Sequence, residues 1–278
     1  MYGAIVGDII GSIYEWKNIK TKDFPLFDEK CCFTDDTVMT IAVAEALMNG
    51  GTSADYVAAL KKYGNAYPRA GYGGGFRKWL GSDDAEPYMS WGNGSAMRVS
   101  PVAWWHDTLE EVEAAAQCSA AVTHNHAEGI KGAQATAAAI FLARKGHSKQ
   151  AIRAHIETDY GYDLSKTLDE IRPGYTFDVS CQGSVPEAII AFLESTSFED
   201  AVRNAISIGG DSDTIAAIAG GIAEAAYGIP EEILETATAR LDETLAETCR
   251  RFKQSLLSGR SKPKGIFGRI SGLFSSPK

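Results

Sequence analysis

Two short segments, far apart in the chain, are rich in side-chain oxygen. Residues 34–37 read Thr-Asp-Asp-Thr and residues 211–214 read Asp-Ser-Asp-Thr, so each offers two carboxylates and two hydroxyls. Four carboxylates brought together would repel one another, and their pKa values would rise unless a cation neutralised them. Oxygen ligands of this kind suit hard divalent ions such as Mg2+ and Mn2+. If the fold joins the two segments, we expect a metal site, and specifically a binuclear one.

Helix capping is the simpler interpretation of either segment alone, because Asp and Thr are common N-cap residues. The combination of the two segments favours a metal site. Asp211 and Asp213 stand two residues apart in a turn after a glycine pair, and Thr214 opens the apolar run that follows. Three oxygens can then point to one place, as a hard cation requires.

Helical patterns cover nearly the whole chain and place these segments at helix ends. The predicted helices span residues 37–48, 53–63 (with Ser53 as N-cap), 109–122, 127–144, 186–193, 198–208, 213–227 and 231–257. Alternating patterns are scarce, and the best strand candidate, residues 175–179, is short. We therefore expect an all-α fold, a compact single-domain orthogonal multi-helix bundle with a binuclear metal cleft at helix ends.

Composition narrows the class of protein. The 278 residues are 45% hydrophobic and 23% charged, as in ordinary globular proteins, and the net charge of −9 argues against a general nucleic-acid binder. The apolar stretch 4–10 is short and contains Asp8, so we expect no signal peptide, and no run approaches the length of a membrane span. Five cysteines without a CxxC pair fit a reducing compartment. We expect a cytoplasmic protein.

Five motifs in one order resemble those of the ADP-ribosylglycohydrolase family, which includes dinitrogenase reductase-activating glycohydrolases and ADP-ribosyl-acceptor hydrolases. The resemblance covers most of the chain, from Gly3 to about Gly228. The motifs are Gly7-Asp8 with Gly-Ser-Ile-Tyr-Glu at 11–15, the segment 34–37, Gly-Asn-Gly-Ser-Ala-Met-Arg at 92–98, Thr123-His124 with Gly129 and Gly132-Ala133, and the segment 209–214. Any one of them could arise by chance, but all five in sequence would not.

The resemblance implies a role for each residue of the two oxygen-rich segments. It implies that one metal is bound by Thr34, Asp35 and Asp36 and the other by Asp211, Asp213 and Thr214, with Asp213 as a bridging carboxylate. The two ions would be Mg2+ or Mn2+. Glu15 matches a glutamate that lies on a mobile flap in related serine-specific hydrolases, so general acid–base catalysis would fall to Glu15 or to a metal-bound carboxylate, Asp35 or Asp213. Asp8 is interpreted as structural.

A glycine-rich loop supplies the expected substrate contacts. Glycine runs are mostly turns, but here the backbone N–H groups of Gly92, Asn93 and Gly94 could approach a diphosphate closely. The resemblance supports that interpretation and adds Ser90 and His124, the latter as a contact to phosphate or ribose. Trp91 could either stack on adenine or pack in the core.

The activity that the resemblance implies is metal-dependent hydrolysis of the N- or O-glycosidic bond between ADP-ribose and an acceptor. The substrate would be an ADP-ribosylated protein or small molecule, and ADP-ribose would be a product. Two alternatives stand beside it: a hydrolase of small derivatives such as acetylated ADP-ribose, and a non-catalytic ADP-ribose-binding protein. Because the chain keeps all the matching metal ligands, we expect an enzyme.

The last twenty residues differ from the rest. We therefore divide the chain into an ADP-ribosylglycohydrolase-like domain, residues 1–258, and a tail, residues 259–278, which carries five basic residues and no acidic one. Its apolar residues stand at helical spacing, which predicts a basic amphipathic helix making a weak contact with an anionic membrane or a partner. The Gly, Ser and Pro content favours the alternative, a disordered or self-packed terminus.

Overall fold

Alanine-rich and capped segments of the chain fold as helices in the computed structural model, which describes residues 1–258. The tail, and with it both interpretations of residues 259–278, lies outside the described residues. Within residues 1–258 the helices are α1 Tyr2–Gly11, α2 Asp35–Asn49, α3 Ser53–Ala66, α4 Gly74–Leu80, α5 Gly94–Met97, α6 Ser100–Trp105, α7 Leu109–Ala121, α8 Ala127–Arg144, α9 Lys149–Tyr160, α10 Leu168–Ile171, α11 Cys181–Leu193, α12 Phe198–Ile208, α13 Ser212–Tyr227, α14 Glu231–Thr238 and α15 Glu243–Leu257. The expected all-α, single-domain fold is confirmed.

Polar residues fix where many of these helices begin. The side chain of Thr108 accepts a hydrogen bond from the third helical N–H of α7, and the Glu111 carboxylate accepts one from the Thr108 N–H; α3 and α10 begin in the same way. Each such pair satisfies backbone donors that have no partner inside the helix. The expectation of Ser53 as the α3 cap is wrong by one residue, since Thr52 holds that position.

The centre of the fold is the close packing of α1 against α13. A methyl group at Gly7 would lie 2.0 Å from the carbonyl oxygen of Ala216, and one at Gly3 would lie 2.2 Å from that of Gly220. Near the end of α1, a methyl group at Gly11 would lie 2.6 Å from the Cα atom of Asp213. Only glycine permits this approach, and it brings the end of α1 beside the first turn of α13. Sequence periodicity did not predict α1.

Three expectations about elements are corrected. The helix expected over residues 231–257 is two helices, since the chain leaves α14 at Thr238 and restarts at Asp242, which caps α15. The helix expected from residue 186 begins at Cys181 and carries Pro186 in its interior. Residues 175–179 form no strand; within the described chain the β-bridge present is an isolated one between Gly92 and Ser180.

Within residues 1–258, none of the helices combines the length and the apolar character needed to cross a bilayer.

Candidate active site

The two oxygen-rich segments meet at the N-terminal ends of α2 and α13. One carboxylate oxygen from each of Asp8, Asp36 and Asp213 lies within 4.8 Å of the others; we call these residues the Asp8 cluster. The same limit holds for Glu15, Asp211 and Asp213, the Glu15 cluster. Asp213 therefore belongs to both clusters.

Burial and mutual repulsion make these acids hard to ionise. Burial raises the pKa of Asp36 and of Asp213 well above its ordinary range, and the neighbouring carboxylates raise it further. Burial, then the charge of Asp8, raises the pKa of Asp35 to about 8. Burial and the charge of Asp211 raise the pKa of Glu15 to about 7. A cluster with this much unfavourable charge calls for a cation.

The donor set fits a divalent metal ion. Asp36 Oδ1 is buried and has no hydrogen-bond partner among residues 1–258, while Asp36 Oδ2 accepts a hydrogen bond from Thr214 Oγ1 at 3.2 Å. A buried carboxylate oxygen without a donor is costly unless it binds a cation. All the converging groups are oxygens, as Mg2+ and Mn2+ prefer.

Asp8 has two roles, of which sequence reasoning assigned only one. Its carboxylate accepts hydrogen bonds from Thr34 Oγ1 at 2.7 Å, from the Thr34 N–H at 3.0 Å and from the Thr37 N–H at 3.1 Å, so it holds the first turn of α2 in place. It also belongs to the Asp8 cluster. The available signal was a single acid inside an apolar, glycine-rich stretch.

Thr34 is both a candidate metal ligand and a helix cap. Its Oγ1 accepts a hydrogen bond from the Asp36 N–H at 3.2 Å and caps α2. The capping interpretation is therefore correct for this segment, and it coexists with the convergence of the carboxylates. Asp35, next in the chain, is in neither cluster but lines the same cleft.

The clusters lie at one side of a cleft of about 410 Å³, a size typical of small-molecule sites. Its lining includes five of the six expected substrate-binding residues, namely Ser90, Gly92, Asn93, Gly94 and His124. Trp91 does not line this cleft within residues 1–258. Its side chain is 49% exposed, so it does not pack in the core. Sequence reasoning missed the wall formed by residues 71–73 and 75–77, a glycine-rich stretch to which it assigned no role.

The glycine loop is built differently from the expectation. The N–H of Gly92 donates to Ser90 Oγ at 3.2 Å and that of Asn93 donates to the Val179 carbonyl at 2.8 Å, so two of its amides are already paired. A methyl group at Gly94 would lie 3.1 Å from His124 Nε2. Glycine therefore lets the imidazole lie against the loop backbone.

Asn93 connects the loop to the acidic clusters. Its Nδ2 donates to Asp211 Oδ2 at 2.7 Å and to Ser184 Oγ at 3.1 Å, and its side chain is buried. Burial raises the pKa of Asp211, and this hydrogen bond opposes the increase. The amide thus holds one oxygen of Asp211 in a defined direction.

A buried cation lies behind the imidazole. Arg98 is 1% exposed, no carboxylate in residues 1–258 pairs with it, and its Nε has no partner there. One guanidinium N–H donates to Thr123 Oγ1 at 2.8 Å, and that hydroxyl lies 2.7 Å from His124 Nδ1. Burial and the charge of Arg98 lower the pKa of His124 well below its ordinary value, so the imidazole is neutral. An uncompensated buried cation at a cleft wall suits an anionic ligand.

Comparison with known proteins decides the family. The family model described as ADP-ribosylglycohydrolase matches residues 1–262 of this chain. The chain belongs to the ADP-ribosylglycohydrolase family. The family resemblance proposed from the five motifs is thereby confirmed.

Two curated relatives match most of the length of this chain at modest identity. It is 28% identical to the "ADP-ribosylhydrolase ARH3" of Bos taurus, over 91% of this chain and 92% of that protein. It is 29% identical to the "ADP-ribosylarginine hydrolase Tri1" of Pseudomonas putida (strain GB-1), over 89% of this chain and 76% of that protein.

A solved structure shares the fold. The chain titled "ADP-ribosylglycohydrolase-related protein complex" superposes with a TM-score of 0.66 at 25% identity, over 90% of this chain and 95% of that chain.

Proposed function

We propose that this protein is a divalent-metal-dependent hydrolase that releases ADP-ribose from an acceptor by cleaving an N- or O-glycosidic bond. The observation that carries the proposal is one cleft with two chemically distinct sides. One side holds two carboxylate clusters that share Asp213, and the other presents a neutral His124 in front of the buried cation Arg98. Family membership and the names of the two relatives, a hydrolase of ADP-ribosylated substrates in each case, support it.

Two Mg2+ or Mn2+ ions would be held by the residues that the motifs indicate: Thr34, Asp35 and Asp36 for one, and Asp211, Asp213 and Thr214 for the other. The Asp8 carboxylate, which lies in the Asp8 cluster, would add to this donor set. Bound there, the ions would orient the ribose hydroxyls and lower the pKa of a water molecule near the anomeric carbon.

Glu15 is the candidate general acid–base group. Burial, the first cause of its raised pKa, favours the protonated form that a general acid needs, whereas bound cations would offset the part that the charge of Asp211 adds. It is half-buried and lines the cleft with Asp211 and Asp213, so it can reach both a water molecule and the leaving acceptor. The remaining candidates are the proposed metal-bound carboxylates Asp35 and Asp213, which line the same cleft.

His124 would bind the diphosphate as a neutral hydrogen-bond donor. We assign the hydrogen of the Thr123 hydroxyl to His124 Nδ1, because this buried hydroxyl already accepts from Arg98 and otherwise would leave its own hydrogen without an acceptor; the imidazole proton is then on Nε2. That nitrogen lies beside the loop backbone at Gly94. The positive charge of Arg98 behind it adds a favourable field for phosphate without a direct contact.

The acceptor would enter beside Glu15. There the indole of Trp16 stacks on the ring of Phe177, with ring centroids 5.2 Å apart, and both residues line the cleft. Trp16 is 77% exposed and Phe177 43% exposed, an unusual cost for large apolar side chains at a protein surface. These rings offer a flat surface to whatever is attached to the ADP-ribose.

The test is release of ADP-ribose from arginine-linked, serine-linked, acetyl-ester and nucleic-acid-linked substrates, each with Mg2+, with Mn2+ and with EDTA. We expect metal-dependent release from at least one linkage, and its loss in Asp211→Ala and Asp213→Ala variants that remain folded. Asp83→Ala, at an exposed position away from the cleft, is the matched control. Metal-dependent binding of ADP-ribose without release from any linkage would instead indicate a binding protein. Full activity of both cleft variants in EDTA would refute the proposal.

A further inference from the structure

The residues after Glu15 make a set of specific contacts with the turn that precedes Asp211. Asn18 Nδ2 donates to the carbonyl oxygens of Tyr14 at 2.7 Å and Glu15 at 2.9 Å, and to that of Gly210 at 2.9 Å. Asn18 Oδ1 accepts from the Gly210 N–H at 2.8 Å. One side-chain amide therefore joins the backbone that carries Glu15 to the backbone that carries Asp211.

The turn is shaped to receive this amide. Gly209 and Gly210 both have positive φ, +76° and +73°, which glycine adopts without strain. A methyl group at Gly209 would lie 3.3 Å from Asn18 Oδ1 and 3.0 Å from Lys20 Nζ. Any side chain at Gly209 would crowd both contacts, so the glycine pair keeps the surface of the turn open to residues 18–20.

Two further contacts hold the same segment. Lys20 Nζ donates to the carbonyl of Ile208, the last residue of α12, at 2.5 Å and to that of Tyr175 at 2.7 Å. A cation at a helix C-terminus is favoured by the helix dipole. Trp16, in the same segment, stacks on the ring of Phe177, two residues after Tyr175 in the chain. The segment 14–20 is thus held by the exposed side chains of Trp16, Asn18 and Lys20, in addition to the packing of Tyr14 and Ile19 against the core.

We propose that Asn18 is the positioning residue for Glu15: its amide holds residues 14–20 on the Gly209–Gly210 turn and thereby keeps the Glu15 carboxylate beside Asp211 and Asp213. The catalytic consequence rests on the proposed function. The structural part does not, because it concerns only which backbone segments Asn18 joins.

Two variants and one control separate the contacts of Asn18. Asn18→Ala removes all four hydrogen bonds. Asn18→Asp keeps the shape and the acceptor for the Gly210 N–H, but directs an oxygen at three carbonyl oxygens and should be no better than alanine. Lys17→Ala, in the same segment, leaves the four hydrogen bonds intact.

The first measurement is hydrogen–deuterium exchange of the metal-free full-length protein, followed by mass spectrometry. We expect exchange in peptides covering residues 12–20 and 206–212 to be faster by about tenfold in both Asn18 variants and unchanged in Lys17→Ala. Loss of a hydrogen-bond network of this size raises the equilibrium constant for local opening of these segments by roughly that factor. Unchanged exchange in both Asn18 variants would overturn the proposal, whatever the enzyme does.

The second measurement is a double-mutant cycle between Asn18→Ala and Glu15→Ala on the substrate identified above. We expect Asn18→Ala to lower kcat by about tenfold or more with little change in KM, since the diphosphate contact proposed at His124 lies on the other side of the cleft and the substitution removes no proposed metal ligand. In the Glu15→Ala background the same change should have no further effect. Additive losses would show that Asn18 does not act through Glu15. If the unmodified protein released no ADP-ribose at all, the proposed function would fail. The exchange measurement would still decide whether Asn18 holds residues 14–20 on the Gly209–Gly210 turn.

Discussion

Replacing Asp36 by Asn should stabilise the metal-free protein and abolish its response to metal. Asp36 is buried, one of its oxygens has no donor, and its carboxylate is within 4.8 Å of two other acids. Two full negative charges at that distance cost about 3.5 kcal/mol at an effective dielectric constant of about 20. Because raised pKa values leave these acids partly protonated near neutral pH, only a fraction of that cost is present.

The net gain follows from two opposing effects. Asp36 lies in the first turn of α2, where a negative charge is favoured by roughly 0.5 kcal/mol, and the substitution loses that interaction. We therefore expect Asp36→Asn to raise the free energy of unfolding in EDTA by about 1–2 kcal/mol. With saturating Mg2+ the unmodified protein should gain about 3 kcal/mol at a metal concentration one hundred times Kd, and the variant should gain almost nothing.

Urea unfolding followed by circular dichroism, with EDTA and with Mg2+, measures both effects. Asp83→Asn, at an exposed position, should change neither value appreciably. A variant less stable than the unmodified protein in EDTA would show that repulsion among these carboxylates is not the dominant local effect. A variant stabilised by Mg2+ as much as the unmodified protein would remove Asp36 from the metal site.

Other consequences concern pH, the diphosphate side of the cleft and helix packing. The pKa of Asp35 is raised from 3.8 to about 8, so the folded state binds more protons than the unfolded state across that range. Unfolding free energy in EDTA should therefore fall as pH rises from about 4 to about 8, and denaturation measured across this range would show no such fall if Asp35 were neither buried nor close to Asp8. Thr123→Val removes the hydroxyl that directs the His124 tautomer and should weaken ADP-ribose binding by about tenfold in calorimetry; unchanged affinity would exclude that role. Gly7→Ala should lower the free energy of unfolding by about 3 kcal/mol or more, because the added methyl group would meet the backbone of α13. Gly174→Ala, where the added methyl group has open space, should not destabilise the protein. Equal effects of the two substitutions would contradict the packing of α1 on α13.

Local signals in the sequence determined most of the helices. Thr108 with Glu111 and the alanine-dense run 127–144 specify helix starts and lengths through neighbours within a few residues, and the structure places helices there. The same locality explains the error over residues 231–257. A helical pattern continues through that stretch, but Arg240 donates to the carbonyls of Cys31 and Asp28, distant residues that no local pattern reveals.

The candidate site divides in the same way. The sequence by itself marked the residue types, Thr34 to Asp36 and Asp211 to Thr214, because hard-cation ligands are recognisable as oxygen-rich segments. Only the tertiary structure brought Asp8 and Glu15 to them, through a glycine face on α1 that lets two helix backbones touch.

The remaining site features have no sequence signature at all. The neutral state of His124 depends on burial next to Arg98, and the orientation of Asp211 depends on Asn93, 118 positions away in the chain. The placement of Glu15 depends on the Asn18 amide meeting a glycine turn 192 positions away. Charge, hydrogen-bond direction and pKa arise from the neighbours that folding supplies, so the chain specified which groups are available and the fold decided what each of them can do.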